Sequence, residues 1–195
     1  MLVCNQQTTN QTISTNKINL IKLAICWKII SPEFITVTCY EWLPLISSSN
    51  EKEIIIQSLQ FLTNQKRIHV YAFVLMDNHF HLIWRIRQGY KRADVQRDFL
   101  HYTAKEIIKN LKVANVELID KIEVNLKDRK YQVWQRNSLS IELRSENVYT
   151  QKLNYIHDNP VKAGMCILAE DYKYSSAKYY ILNEKNWNFL VNIDV

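Results

Sequence analysis

The residues with chemical potential fall into two short groups. His79 and His81 flank Phe80, and far along the chain Tyr155 and Asn159 stand four apart, with Lys152 shortly before them. On a strand, side chains at i and i+2 project to the same face, so a strand here holds both imidazoles together and sends Phe80 to the other side. Two neighbouring imidazoles make half of a metal site. An isolated His-x-His is also what the polar face of any half-exposed strand can carry. On a helix, Tyr155 and Asn159 lie one above the other. The Asn159 amide oxygen could then ligate a cation held by the histidines, and Lys152 could meet a phosphate. Taken alone, the same two residues read more simply as a surface tyrosine and a C-capping asparagine.

The elements that must position these groups can be read from patterning. Phe34 to Tyr40 is β-branched and aromatic, as expected of a strand. Ser47 to Asn50 supplies cap residues, and Glu53 follows Asn50 in capping-box spacing. Ile55, Leu59 and Leu62 then recur at helical spacing, predicting a helix over Glu51 to about Gln65. Two apolar runs, Ile68 to Met76 and Phe80 to Ile86, are split by Asp77-Asn78, a hairpin signature. A second helix is expected from about Arg92 to Leu111, with Val95, Phe99, Tyr102 and Ile107 along one side. Residues 112 to 137 are mixed and charged, with a short strand around Tyr131 to Gln135.

A third helix is expected from about Ser145 to His157, stopped by Pro160. On it Tyr149, Leu153 and Ile156 form a stripe separate from Tyr155 and could bury the helix against the sheet. The order predicts an α+β fold, a small antiparallel sheet carrying helices on one face.

Composition narrows the function classes. A chain of 195 residues fits one domain, and 47% hydrophobic with 11% aromatic residues is enough for a packed core. Two glycines leave no room for a phosphate-cradling glycine loop, which argues against nucleotide-fuelled chemistry. A formal charge of +6 suits a polyanionic partner without requiring one. Cys4, Cys26, Cys39 and Cys166 show no CxxC spacing, fitting a reducing cytoplasm. Residues 1–31 read as a poorly ordered or atypical extension, and residues 32–195 as the domain. The apolar stretch Leu20 to Ile30 is broken by Lys22 and Lys28 and is too short to span a bilayer. Whether it is strand or helix stays open.

Several segments together resemble one family. Tyr71-Ala-Phe-Val-Leu-Met-Asp-Asn-His-Phe-His-Leu-Ile-Trp84 closely resembles the HUH signature of single-tyrosine transposases. Tyr155-Ile-His-Asp-Asn-Pro-Val-Lys-Ala-Gly164 is similar to the catalytic-helix signature of their REP-associated tyrosine transposase branch. Asp171-Tyr-Lys-Tyr-Ser-Ser176 is similar to that branch's tail block, and Trp134-Gln135 sits where it often carries a Trp-Gln pair. The resemblance runs from about Phe34 to the C-terminus. Asp77 and Ala169 depart from it, standing where prolines are common.

The resemblance implies a ferredoxin-like or RRM-like fold with Tyr155 as nucleophile. It implies a metal held by His79, His81 and Asn159, and Mg²⁺ or Mn²⁺ as that metal. It also implies single-stranded DNA cut and rejoined near hairpins or palindromic repeats through a 5′-phosphotyrosine. Lys152, Lys162, Arg136 and Arg144 lie near the motifs and are the candidates for DNA contacts. A cytoplasmic monomer or homodimer without membrane attachment is expected.

His157, two residues from Tyr155 on the helix, should point away from it and is a poor candidate for a base. Two rival classes remain: a non-catalytic single-strand binder stacking bases on Tyr71, Phe73 and Phe80, and a zinc hydrolase with Tyr155 only structural.

Overall fold

The computed structural model describes residues 32–193. The extension, the Leu20 to Ile30 stretch, Cys4 and Cys26 lie outside them. Strand β1 spans Glu33–Thr38, ending two residues before the aromatic run does. Helix α1, Ser49–Asn64, is capped by Ser48, whose hydroxyl accepts from the Asn50 N–H at 3.2 Å and also bonds Glu51. The cap thus sits two residues earlier than the Asn50 and Glu53 spacing suggests. Ile55, Leu59 and Leu62 are buried as their periodicity requires.

Strands β2 (Ile68–Leu75) and β3 (His79–Ile86) form the expected hairpin. Its Asp77-Asn78 turn is closed by Met76 N–H donating to the His79 carbonyl at 2.9 Å. Helix α2 runs Arg92–Ala114 and buries Val95, Phe99, Thr103, Ile107 and Leu111, one residue per turn. Tyr102, expected on that stripe, is exposed. Thr103 takes its place and satisfies its hydroxyl on the Phe99 carbonyl at 2.9 Å.

Residues 116–131 form a satellite of helix α3 (Val116–Lys121) and a hairpin of β4 (Glu123–Leu126) and β5 (Arg129–Tyr131). The strand expected over Tyr131 to Gln135 is therefore displaced, and Trp134 makes a single bridge to Cys39. Strand β6, Leu139–Glu142, has no strand signal in the sequence and adds to the edge of β1. Helix α4 spans Glu146–Lys162, capped by Ser145, and short helix α5 spans Ala177–Ile181.

Pro160 does not stop α4. Its ring removes one backbone donor, yet the turn around it is tied by Ala163 N–H to the Asn159 carbonyl and Met165 N–H to the Pro160 carbonyl. Gly164, at φ +70, then ends the helix. Asn159 consequently lies inside the last helical turn rather than at a loose end.

The main sheet has the order β2-β3-β1-β6 with every neighbour antiparallel. Together with α1 and α2 this is the βαββαβ succession of a ferredoxin-like fold, so the α+β expectation holds. Helices on one face does not. Helices α1 and α2 cover the face carrying Ile35, Val37, Phe80, Leu82 and Trp84. Helix α4 covers the opposite face through Tyr149, Leu153 and Ile156. Beyond it the tail returns to β2: Tyr172 donates its hydroxyl to the Leu75 carbonyl at 2.7 Å, and Ser176 accepts from the Phe73 N–H at 3.1 Å. Among the described residues no helix is long and apolar enough to cross a membrane.

Candidate active site

Alternation along β3 places His79 and His81 on the α4 face, with their ring centroids 4.9 Å apart. Pairing with β1 sets Thr38 opposite His79 and Thr36 opposite His81. That register has a chemical consequence. Thr36 Oγ1 lies 2.9 Å from His81 Nδ1, and Asn78 Oδ1 lies 2.8 Å from His79 Nδ1. The Asn78 oxygen can only accept, so a proton on His79 Nδ1 satisfies it, and in that tautomer Nε2 offers a lone pair. Thr36 can hold His81 in the same tautomer.

His81 is only 3% exposed, and its Nε2 is buried without a hydrogen-bond partner. Desolvation pushes its pKa down to about 3, helped by the neighbouring His79 and Lys152. Burial also lowers His79, while a hydrogen bond with the Asn159 side chain pulls the other way. Both rings are therefore neutral near pH 7 and able to ligate. A buried imidazole nitrogen with no partner is costly unless something occupies it.

Helix α4 brings the second group to the first. The Tyr155 ring lies 5.0 Å from that of His81 and remains 43% exposed, so its hydroxyl is open to a substrate. Asn159, one turn on, reaches His79. Lys152, one turn before, holds its ammonium 4.9 Å from the Phe34 ring and 5.7 Å from the Tyr155 ring. Phe34 in turn stacks on His81 at 5.3 Å and meets Tyr155 edge-on.

His79, His81, Asn159, Tyr155 and Lys152 are thus gathered in one place. The donor set of two neutral imidazoles and an amide fits a divalent cation. Among the described residues no third His, Cys, Asp or Glu joins the pair, which leaves the zinc hydrolase reading without its usual further ligand.

The other candidates scatter. Lys162 pairs with Asp158 at 3.2 Å on the exposed end of α4, and Arg144 pairs with Glu142 at 3.0 Å. Arg136 lines a groove of about 690 Å³ between α2 and residues 128–138. His157 points away from Tyr155 as expected: it is buried, 2.9 Å from the Ser176 hydroxyl, and desolvated to a pKa of about 4. Tyr71, Phe73 and Phe80 are all buried, so the stacking surface of the single-strand-binder reading is not available.

Sequence reasoning passed over Thr36, Asn78, Phe34 and the exposed Trp42, whose ring lies 5.9 Å from His79. In the sequence Asn78 reads only as a turn former. The others depend on strand register and loop path, for which the sequence carries no direct signal.

No family model matches the chain, and no curated protein matches it. Solved structures do. A REP-associated tyrosine transposase bound to a REP hairpin superposes with a TM-score of 0.57 at 18% identity, over 78% of this chain and 80% of that one. A candidate transposase from Deinococcus radiodurans R1 aligns at 12% identity over 65% of this chain and 88% of that one, with a TM-score of 0.42. The first likeness establishes a shared fold.

Proposed function

We propose that this chain is a metal-dependent strand transferase of the REP-associated tyrosine transposase branch, acting on single-stranded DNA beside hairpins. The observation that carries the reading is the convergence of Tyr155 and Asn159 on the His79–His81 pair. Two sequence-distant groups meet there in the register that the HUH resemblance requires. The shared fold supports the same reading, and the hairpin bound by the REP-associated transposase gives the partner class.

Tyr155 Oη attacks the scissile phosphorus, forming an O–P bond as the P–O3′ bond breaks. The products are a 5′-phosphotyrosine and a free 3′-hydroxyl. The phenol proton passes to solvent, to which Tyr155 is open, and the departing 3′-oxygen takes one up. Rejoining is the reverse attack by a 3′-hydroxyl, so the phosphodiester energy is kept in the ester and no nucleotide is consumed. Lys152 sits where its ammonium can neutralise the phosphate beside Tyr155. Mg²⁺ or Mn²⁺ held by His79, His81 and Asn159 would supply Lewis-acid polarisation of that phosphate. Lys162, Arg136 and Arg144 are assigned to the DNA backbone further out, and the protein to the cytoplasm as monomer or homodimer.

The test is a labelled single-stranded hairpin incubated with protein and Mn²⁺ and run on a denaturing gel. Wild type should give a slow protein–DNA band that Tyr155→Phe lacks. An undiminished band in Tyr155→Phe would refute the assignment.

A further inference from the structure

The loop after β1 contains a feature that metal binding and tyrosine attack leave unused. Glu41 and Trp42 adopt positive φ in succession, 50 and 58. Bulky L-residues rarely occupy this left-handed region, so two in succession mark a strained turn. The strain persists because both ends of the turn are clamped. Cys39 is buried and donates its N–H to the Asn78 carbonyl, while Leu45 and Ile46 are buried, with Ile46 donating to the Asp77 carbonyl. Between these anchors Trp42 is thrust outward, 63% exposed, on the strand end that carries His79.

An exposed tryptophan held against its conformational preference, beside one imidazole of the site, points to a ligand with a flat apolar face. We infer that Trp42 is a stacking platform for an unpaired nucleobase next to the scissile phosphate, on the His79 side of the site. This rests on the strand-transferase reading above. It supplies a base contact that Tyr71, Phe73 and Phe80, all buried, cannot make. Lys152 lies by Tyr155 and Trp42 by His79, so the strand is gripped on both sides of the reacting phosphate. One grip is electrostatic and the other is through the base.

The experiment measures anisotropy of a fluorescein-labelled DNA hairpin with single-stranded flanks, in the Tyr155→Phe background so that binding is not confounded by cleavage. Trp42→Ala should weaken binding roughly 5- to 100-fold, the range of one lost base–aromatic stack. Trp42→Phe should restore most of it. The salt dependence should be unchanged in Trp42→Ala, whereas Lys152→Ala should flatten it.

An abasic scan of the flanks, run on protein with Trp42 intact, should find one position with the same loss. Combining that abasic site with Trp42→Ala should add nothing. Unchanged binding in Trp42→Ala, or losses that add at every abasic position, would overturn the inference. The covalent-adduct test on wild-type protein reads the transferase assignment separately, so the two can fail independently.

Discussion

On the face covered by α1 and α2, β3 contributes Phe80, Leu82 and Trp84, all buried among aliphatic and aromatic neighbours. On the opposite face the same strand contributes His79 and His81, flanked by Thr36, Asn78 and Phe34 and roofed by α4. Alternation at a period of two thus divides one strand into a half packed in the apolar core and a half that carries the proposed site. The α4 face holds the unpartnered buried His81 Nε2 beside the exposed Tyr155 and, at its edge, two residues in left-handed backbone.

Substitutions that respect this division should separate stability from metal and DNA binding. The largest loss of stability should come from the dry face. Phe80→Ala should cost about 3–5 kcal/mol in denaturant unfolding, a large part of a domain's usual reserve. If Phe80→Ala instead unfolded like wild type, the division would break.

Next in size is the acid sensitivity of the α4 face. Desolvation holds His157 well below its ordinary 6.5, at about 4, so the folded state favours the neutral ring. Its contribution is complete above pH 6.5 and is lost as pH falls toward 4, because the unfolded chain then binds the extra proton. The loss is on the order of 3 kcal/mol. His157→Gln should lessen the slope of stability against pH over that window, to which His81, lowered to about 3, also contributes, and an unchanged slope would assign the acid limb to other groups.

Smaller still, Thr36→Val should weaken Mn²⁺ binding about 10- to 100-fold by calorimetry, while Thr36→Ser keeps it, because the hydroxyl orients His81. Equal affinity in Thr36→Val would remove the orienting role. At the bottom of the scale, Arg144→Ala removes an exposed pair and should change stability by no more than about 0.5 kcal/mol.

Much of the site was legible because its determinants are local. The Asp77-Asn78 turn fixes where β3 begins, and that alone decides that His79 and His81 share a face. The four-residue spacing of Tyr155 and Asn159 needs only that α4 be a helix. What escaped is non-local. Strand β6 is four residues long and exists only because β1 offers an edge, so it leaves little periodic trace. Thr36 reaches His81 through a register between strands separated by a helix and another strand. Pro160 is a stop signal in the sequence, but its buried position and the hydrogen bonds around it carry α4 on to Lys162. The placement of α4 opposite α1 and α2 depends on Tyr149, Leu153 and Ile156 finding a face that the other helices had left open.

Peptide mapping of the covalent adduct tests the central claim most directly. Wild-type protein is trapped on a single-stranded hairpin with Mn²⁺, digested with protease and nuclease, and sequenced by mass spectrometry. The nucleotide remnant should be found on Tyr155, joined through its 5′-phosphate. A remnant on any other residue, or a 3′-linkage, would contradict the assignment of the α4 face as the seat of the chemistry.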